Sequence, residues 1–314
     1  MKPQVSICIP CFNQTEHLRL TFDSIFEQTF TDFELIISDD SITDDVEDLV
    51  ADYEEFHRDK IKYYRNKPSL GSPENWNFAI RKASGALIKI MHHDDYFVSK
   101  DSLQMMVDML RQKPEYDFAF CASRVQDLRD DSMRLHYCPE DRLLMLKEYP
   151  ESLFLGNIIG SPSATIFRRE IFEPFNEKYK WVVDFEFYIR ILKKNSHFNH
   201  TKEVLTCNVF HGHNITNICE NNINVDLLEH LTLFNELTKE DPSLKFNRFF
   251  IRFFVEYYAK FGVTRISKLR NLGYNSSIPL TLRLIVCYTR LRFVRLKLLG
   301  KKPGVVQYIQ PINE

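Results

Sequence analysis

Two pairs of adjacent carboxylates, Asp39-Asp40 and Asp94-Asp95, are the first groups in this chain able to do chemistry. Each follows a short apolar run, FELII at residues 33–37 and ALIKIM at residues 86–91. A single such pair has a bland explanation, because Asp commonly caps the helix that follows a strand. Two pairs at one sheet edge suggest a shared site, where one carboxylate holds a divalent metal and another a ribose hydroxyl. Hard oxygen ligands suit Mg2+ or Mn2+, ions that take few protein ligands and complete their shell with substrate phosphates. Neither G-x-G-x-x-G nor G-x-x-x-x-G-K-[ST] occurs, so a nucleotide here would be held without a glycine-rich phosphate loop. A further acid, Asp184, opens a segment whose Phe185, Tyr188, Ile189 and Leu192 share one helical face. On the residues alone it reads as a cap for that helix.

The elements that must position these groups alternate. Residues 5–9 (VSICI), 33–37, 61–64, 86–91 and 118–121 read as strands. Between them, residues 15–28 carry Leu18, Phe22, Ile25 and Phe26 at helical spacing, and residues 43–56 form an acidic amphipathic helix. A third helix opens at Gly71-Ser72-Pro73 and is closed by Gly85, and Asp101 caps a fourth. Strand–helix–strand repetition implies right-handed crossovers and a mainly parallel sheet. Ligands of such sheets bind beyond the carboxyl ends of the strands, where both acid pairs fall.

From about residue 221 the pattern is helical. Phe246, Phe249, Phe250, Phe253, Phe254, Tyr257, Tyr258 and Phe261 form an aromatic stripe, expected to pack on the first region, with membrane or partner contact as the other reading. The chain has 314 residues and a formal net charge of −2, which excludes bulk-charge binding of nucleic acid. The charge is uneven. Residues 245–302 carry 14 Lys and Arg against the single acid Glu256, leaving 27 basic and 42 acidic residues elsewhere. Residues 281–297 are apolar and basic without being cleanly amphipathic. Interfacial binding to anionic lipid is one reading of them. No run of 18 apolar residues exists. Seven scattered cysteines, with Cys8 and Cys11 read as buried thiols and not a zinc pair, and no secretory signal suggest a reducing, cytoplasmic setting.

The opening VSICIPCFN at residues 5–13 resembles the family 2 glycosyltransferases of GT-A fold. So do SIFEQT (24–29), FELIISDD (33–40), LGSPENWN (70–77), His93-Asp94-Asp95, SATIFRR (163–169) and WVVDFEFYIR (181–190), in that order. The resemblance covers residues 5–216. It implies an α/β, GT-A-like fold with a mainly parallel Rossmann-type sheet flanked by helices over residues 1–220. Residues 221–314 would be a basic helical region.

It also implies roles. Pro10, Phe12 and Asn13 would line a nucleotide pocket, with Phe12 flanking the base, and Asp39 and Asp40 would contact base or ribose. Asn75 would join the nucleotide-sugar contacts, Asp94 would hold ribose or sugar, and Asp95 would ligate Mn2+ or Mg2+. His93 stands where many members carry an acid, which implies weaker or more labile metal binding. Asp184 falls at the catalytic-base position. There Val183 replaces a customary Glu, whose helper role Glu186 is placed to take. His211 matches a position that often reaches the diphosphate, with His213 a neighbouring candidate. The activity implied is inverting transfer from a nucleotide sugar, a UDP-sugar above others, to a glycan or lipid-linked oligosaccharide acceptor. The cytoplasmic face of a membrane is the expected location, contacted through residues 245–302. Two other readings stand beside it. A sugar nucleotidyltransferase would show a Gly-rich, Arg-containing N-terminal loop in place of PCFNQTEHLR. A non-catalytic scaffold would have no use for Asp94, Asp95 and Asp184.

Overall fold

The computed structural model describes residues 2–212, 214–219 and 222–299. Its strands are β1 (Val5–Cys11), β2 (Phe33–Asp39), β3 (Ile61–Arg65), β4 (Leu87–Ile90), β5 (Tyr96–Phe97), β6 (Phe118–Asp127), β7 (Ser132–His136), β8 (Thr165–Arg168) and β9 (Phe198–Phe210). They form one sheet in the order β3-β2-β1-β4-β8-β6-β9-β5, with β7 paired to β6. The first four of that order are parallel throughout. Beyond β4 the sheet is mixed. Strand β8 runs antiparallel to both β4 and β6, β6 and β9 are parallel, and β5 and β7 are antiparallel to their partners. The expected parallel sheet is therefore its first half, and in the second half the strand expected at residues 118–121, now β6, is joined by β5, β7, β8 and β9, which sequence reading left unassigned.

Every residue of β1 and β2 is buried, as expected of strands covered on both faces. Alternate residues serve two cores. Val5, Ile7, Ile9, Leu35 and Ile37 pack against α1 (Glu16–Phe26), α2 (Asp45–His57) and α4 (Ser102–Arg111). Cys8, Ile36, Ile88 and Ile90 face the other way, toward α3 (Glu74–Lys82), α5 (Glu140–Glu148) and α6 (Val183–Lys194). The turn before β4 is tight: a Cβ on Gly85 would lie 2.6 Å from the Ser6 amide nitrogen and 2.8 Å from the Val5 carbonyl carbon.

The remaining helices are α7 (Ile215–Cys219), α8 (Asp226–Glu240), α9 (Arg248–Lys260), α10 (Ile266–Asn271) and α11 (Leu280–Leu298). The second core continues into them without a break. Phe154 meets Phe185 of α6 at 5.9 Å and Phe250 and Phe253 of α9 at 4.6 and 5.4 Å between ring centroids. The aromatic stripe therefore turns inward, apart from the exposed Phe246. One buried ion cluster crosses this packing: Lys260 of α9 lies 3.2 Å from Asp226 of α8, which also pairs with His230 at 3.3 Å. No helix among the described residues is long and apolar enough to cross a membrane.

Candidate active site

The carboxyl ends of β1, β2 and β4 converge, and the residues following each strand meet there. Pro10 and Cys11 close β1; Pro10 pairs in register with Ser38, and Cys11 with Asp39. Phe12, just past the strand, is 49% exposed, a flat apolar ring open to a ligand. Asn13 has a positive φ of 52°, a conformation that Asn tolerates better than most residues. It is held there twice, by its amide donating to Ser41 Oγ at 2.8 Å and its Oδ1 accepting from the Ile42 amide at 2.8 Å.

Asp39 and Asp40 are both engaged within the protein. Asp39 accepts from the Ser41 amide at 2.8 Å and the Tyr63 hydroxyl at 2.7 Å. Asp40 accepts from Asn66 Nδ2 at 2.8 Å, from the Leu70 amide at 3.1 Å and from the Gly71 amide at 2.7 Å. It thereby fastens the segment from Asn66 to Gly71 across the end of β2. Asn75 is buried beside it and donates to the Cys11 carbonyl at 3.2 Å.

After β4 the chain places His92, Asp94 and Asp95 so that one ligand atom from each lies within 4.8 Å of the others. His92, not His93, completes this group; His93 turns its Nδ1 toward the Pro10 carbonyl, 3.2 Å away. Asp95 Oδ1 accepts from the Val209 amide at 3.1 Å, and Oδ2 from Asn208 Nδ2 at 2.7 Å. Asp94 Oδ2 meets His211 Nε2 at 3.0 Å and Asn214 Nδ2 at 2.9 Å. His211 in turn stacks on His17 of α1, with centroids 5.1 Å apart. His213 lies outside the described residues.

The two carboxyls are pushed in opposite directions. Burial, and then the Asp94 charge beside it, raise the pKa of Asp95. Burial acts on Asp94 in the same sense, but the His211 hydrogen bond and the neighbouring imidazoles outweigh it and hold that carboxyl low. Burial brings His92 down to about 4, so its ring is neutral at pH 7 and keeps a lone pair. Its Nε2 is buried with no hydrogen-bond partner. Two carboxylates and one neutral imidazole suit a divalent cation such as Mn2+ or Mg2+.

Asp184 is the second residue of α6. Its Oδ1 accepts from the Phe185 amide at 2.8 Å and its Oδ2 from Asn157 Nδ2 at 2.9 Å. Burial raises it to about 6. Glu186 is turned away and bonded to Arg190 at 2.9 Å, so the neighbour of Asp184 is Asn157. Sequence reading passed over Asn157, Asn208, Asn214 and His92. His92 could have been noticed by its place next to the acid pair, whereas the three asparagines lie far from their partners along the chain.

One short loop ties the groups together. Asn157 holds Asp184. Ser161 Oγ accepts from the same Asn208 amide, at 2.6 Å, that bonds Asp95. Ser163 Oγ accepts from the His92 amide at 3.0 Å, and the Ser163 carbonyl receives the fully buried ammonium of Lys89. The candidate metal-holding group and the candidate base are thus set by residues 157–163.

The Glycosyl transferase family 2 profile matches residues 6–175. GalNAc(5)-diNAcBac-PP-undecaprenol beta-1,3-glucosyltransferase of Campylobacter jejuni is 24% identical over 63% of this chain. The Escherichia coli UDP-Glc:alpha-D-GlcNAc-diphosphoundecaprenol beta-1,3-glucosyltransferase WfgD is 23% identical over 61% of this chain and 71% of its own length. The match spans less than two thirds of the length of the Campylobacter enzyme, 62%, and of a Mycobacterium tuberculosis protein, 64%. The mannosyltransferase PcManGT from Pyrobaculum calidifontis, solved with GDP-Man and Mn2+, superposes with a TM-score of 0.57 at 16% identity. That likeness covers 93% of this chain and 81% of the other, and it speaks to the fold alone. With more than half of its residues matched by the family profile, and with a GT-A architecture, this chain belongs to glycosyl transferase family 2.

Proposed function

We propose that this protein transfers a sugar from a nucleoside-diphosphate sugar, a UDP-sugar before others, to an acceptor hydroxyl with inversion at the anomeric carbon. The acceptor class we favour is a lipid-linked glycan, in line with the names of the Campylobacter and E. coli relatives. The observation that carries the reading is the 157–163 loop, which fixes Asp184 at one end and the His92–Asp94–Asp95 group at the other. Displacement with inversion needs a base on the acceptor side and charge neutralisation on the leaving-group side, and this loop supports both.

Asp184 accepts the proton of the attacking hydroxyl. A carboxyl raised to about 6 is still ionised at pH 7, yet is a stronger base than an ordinary Asp. Phe12 offers its exposed ring to the base of the nucleotide, Pro10 and Asn13 shape the pocket floor, and Asp94 is oriented by His211 and Asn214 toward ribose or donor sugar. Asp39 and Asp40 contribute by fixing the walls, and Asn75 by bracing the end of β1. Asp95, with His92, would hold Mn2+ or Mg2+, which when bound supplies positive charge to a leaving diphosphate.

A thermal-shift screen of UDP, GDP, dTDP and CMP, with and without Mn2+, tests this on wild type and Asp95→Ala. The expected result is stabilisation by one nucleoside diphosphate, dependent on Mn2+ and lost in the variant. If no nucleotide stabilises the wild type, the donor assignment fails and Asp184 loses its role.

A further inference from the structure

Helix α11 is apolar on two opposite faces, which is why its sequence does not read as amphipathic. Thr281, Leu282, Ile285, Val286 and Thr289 are buried in the protein. On the outer side, Leu280, Leu284, Tyr288, Leu291, Val294 and Leu298 are each between 50% and 83% accessible. Successive steps of four, four, three, three and four residues keep these six on one stripe about five turns long. A continuous exposed apolar stripe of this kind marks an interaction surface.

Its borders are cationic. Arg283, Arg290 and Lys297 recur every seven residues along one flank, while Arg295 lies on the other side. Residues 280–299 hold five basic side chains and no acid. Arg290, Arg295 and Lys297 have no ion-pair partner among the described residues, in a chain whose other basic groups are widely paired. Long Arg and Lys stems can lie along an apolar surface while their heads reach phosphates.

We propose that α11 docks the protein on an anionic lipid surface, lying in the plane of the interface with its leucine and tyrosine stripe at the acyl boundary and its cations among lipid phosphates. Charge decides between this and a second copy of the chain. Two α11 helices packed stripe to stripe would gather ten cations and no acid, whereas an anionic bilayer offers the opposite charge. Residues 301 and 302 add two further lysines just beyond the helix. The inference rests on the helix surface alone and does not depend on the donor or the acceptor.

Co-sedimentation of the full chain with phosphatidylglycerol–phosphatidylcholine vesicles tests it, with pure phosphatidylcholine vesicles as the uncharged comparison. Binding is expected on the anionic vesicles, weakening at high salt and absent on the neutral ones. Leu284→Glu/Leu291→Glu, at exposed positions that leave the melting temperature unchanged, should lower binding by at least about tenfold. Arg290→Glu/Lys297→Glu should lower it by about fivefold or more per residue. Wild-type protein left in the supernatant, or binding indifferent to both double substitutions, overturns the proposal. So does a concentration-dependent dimer that Leu284→Glu/Leu291→Glu dissociates, since the stripe would then belong to a second copy. Binding that appears only after residues 300–314 are removed overturns it too, because the tail would be the natural occupant.

Discussion

Asn157 Nδ2 donates to Asp184 Oδ2 at 2.9 Å while Asn157 Oδ1 accepts from the amides of Ile159 and Gly160, both at 3.1 Å. The amide is pinned from its own loop, so its NH2 has one direction to point. Donation to the charged form favours ionisation and works against the burial that raises Asp184. Asn157→Ala is therefore expected to move the acid limb of the rate profile to higher pH, by up to about one unit, and to lower the rate more at pH 6 than at pH 8. A loss that is equal at both pH values would assign Asn157 a purely structural role.

In the proposed role, the working form of Asp184 is the carboxylate. With its pKa raised to about 6, kcat/KM should fall as pH drops below 6 and level off above it. Asp184→Asn should remove that limb and cost about a hundred- to ten-thousand-fold in rate. Product analysis over pH 5–8 with both proteins checks this.

Asp40 carries three bonds to the segment that crosses β2. Asp40→Ala leaves Asn66, Leu70 and Gly71 without their shared acceptor and is expected to cost ~3 kcal/mol of stability. Under the proposed function nucleotide binding should weaken as well, because the segment lies at the carboxyl end of β2. Denaturant titration beside a nucleotide-induced melting shift separates the two effects.

Lys260→Met removes the cation facing Asp226, whose side chain is nearly inaccessible in the helical region. The expected loss is about 3–5 kcal/mol, because a buried carboxylate is left with His230 alone. Asp226 sits below its ordinary pKa: burial opposes that, and His230 and Lys260 outweigh it. Its stabilising contribution in wild type is thus present above the ordinary carboxylate range and lost as pH falls through the lowered value. The stability gap between wild type and Lys260→Met should accordingly narrow on acidification, which melting curves across pH would show.

Gly85→Ala places a methyl group against the Ser6 amide and the Val5 carbonyl carbon, both backbone atoms that cannot swing aside. The start of β4 must shift away from β1, and a loss of about 1–3 kcal/mol is expected. Thermal melting of the variant tests it.

The sequence disclosed the half of the fold whose signals are local. VSICI, FELII and ALIKIM are buried on both faces, so their apolar runs survive as β1, β2 and β4, and the helices between them keep a clear period. Strand β9 was not legible, since NHTKEVLTCNVF mixes exposed polar and buried apolar residues according to its changing neighbours. The placing of the acid pairs at one sheet edge was legible, but the partners each carboxylate takes were not. Both members of Asp39-Asp40 are bonded inside the protein, and the choice of His92 over His93 depends on which ring faces the Pro10 carbonyl. Asn157, Asn208 and Asn214 act across 27, 113 and 120 residues of chain, distances over which no spacing rule operates.

The manner in which Asp40 holds its segment bears on how such a protein can change. Its carboxylate grips the main chain at Leu70 and Gly71, and apart from Asn66 no side chain takes part. The Leu70 side chain itself remains exposed. Position and surface are therefore separable: substitutions at Leu70 can alter what this sheet edge presents while the main chain stays where it is. A new side chain at this edge would not have to be accompanied by a new way of folding it.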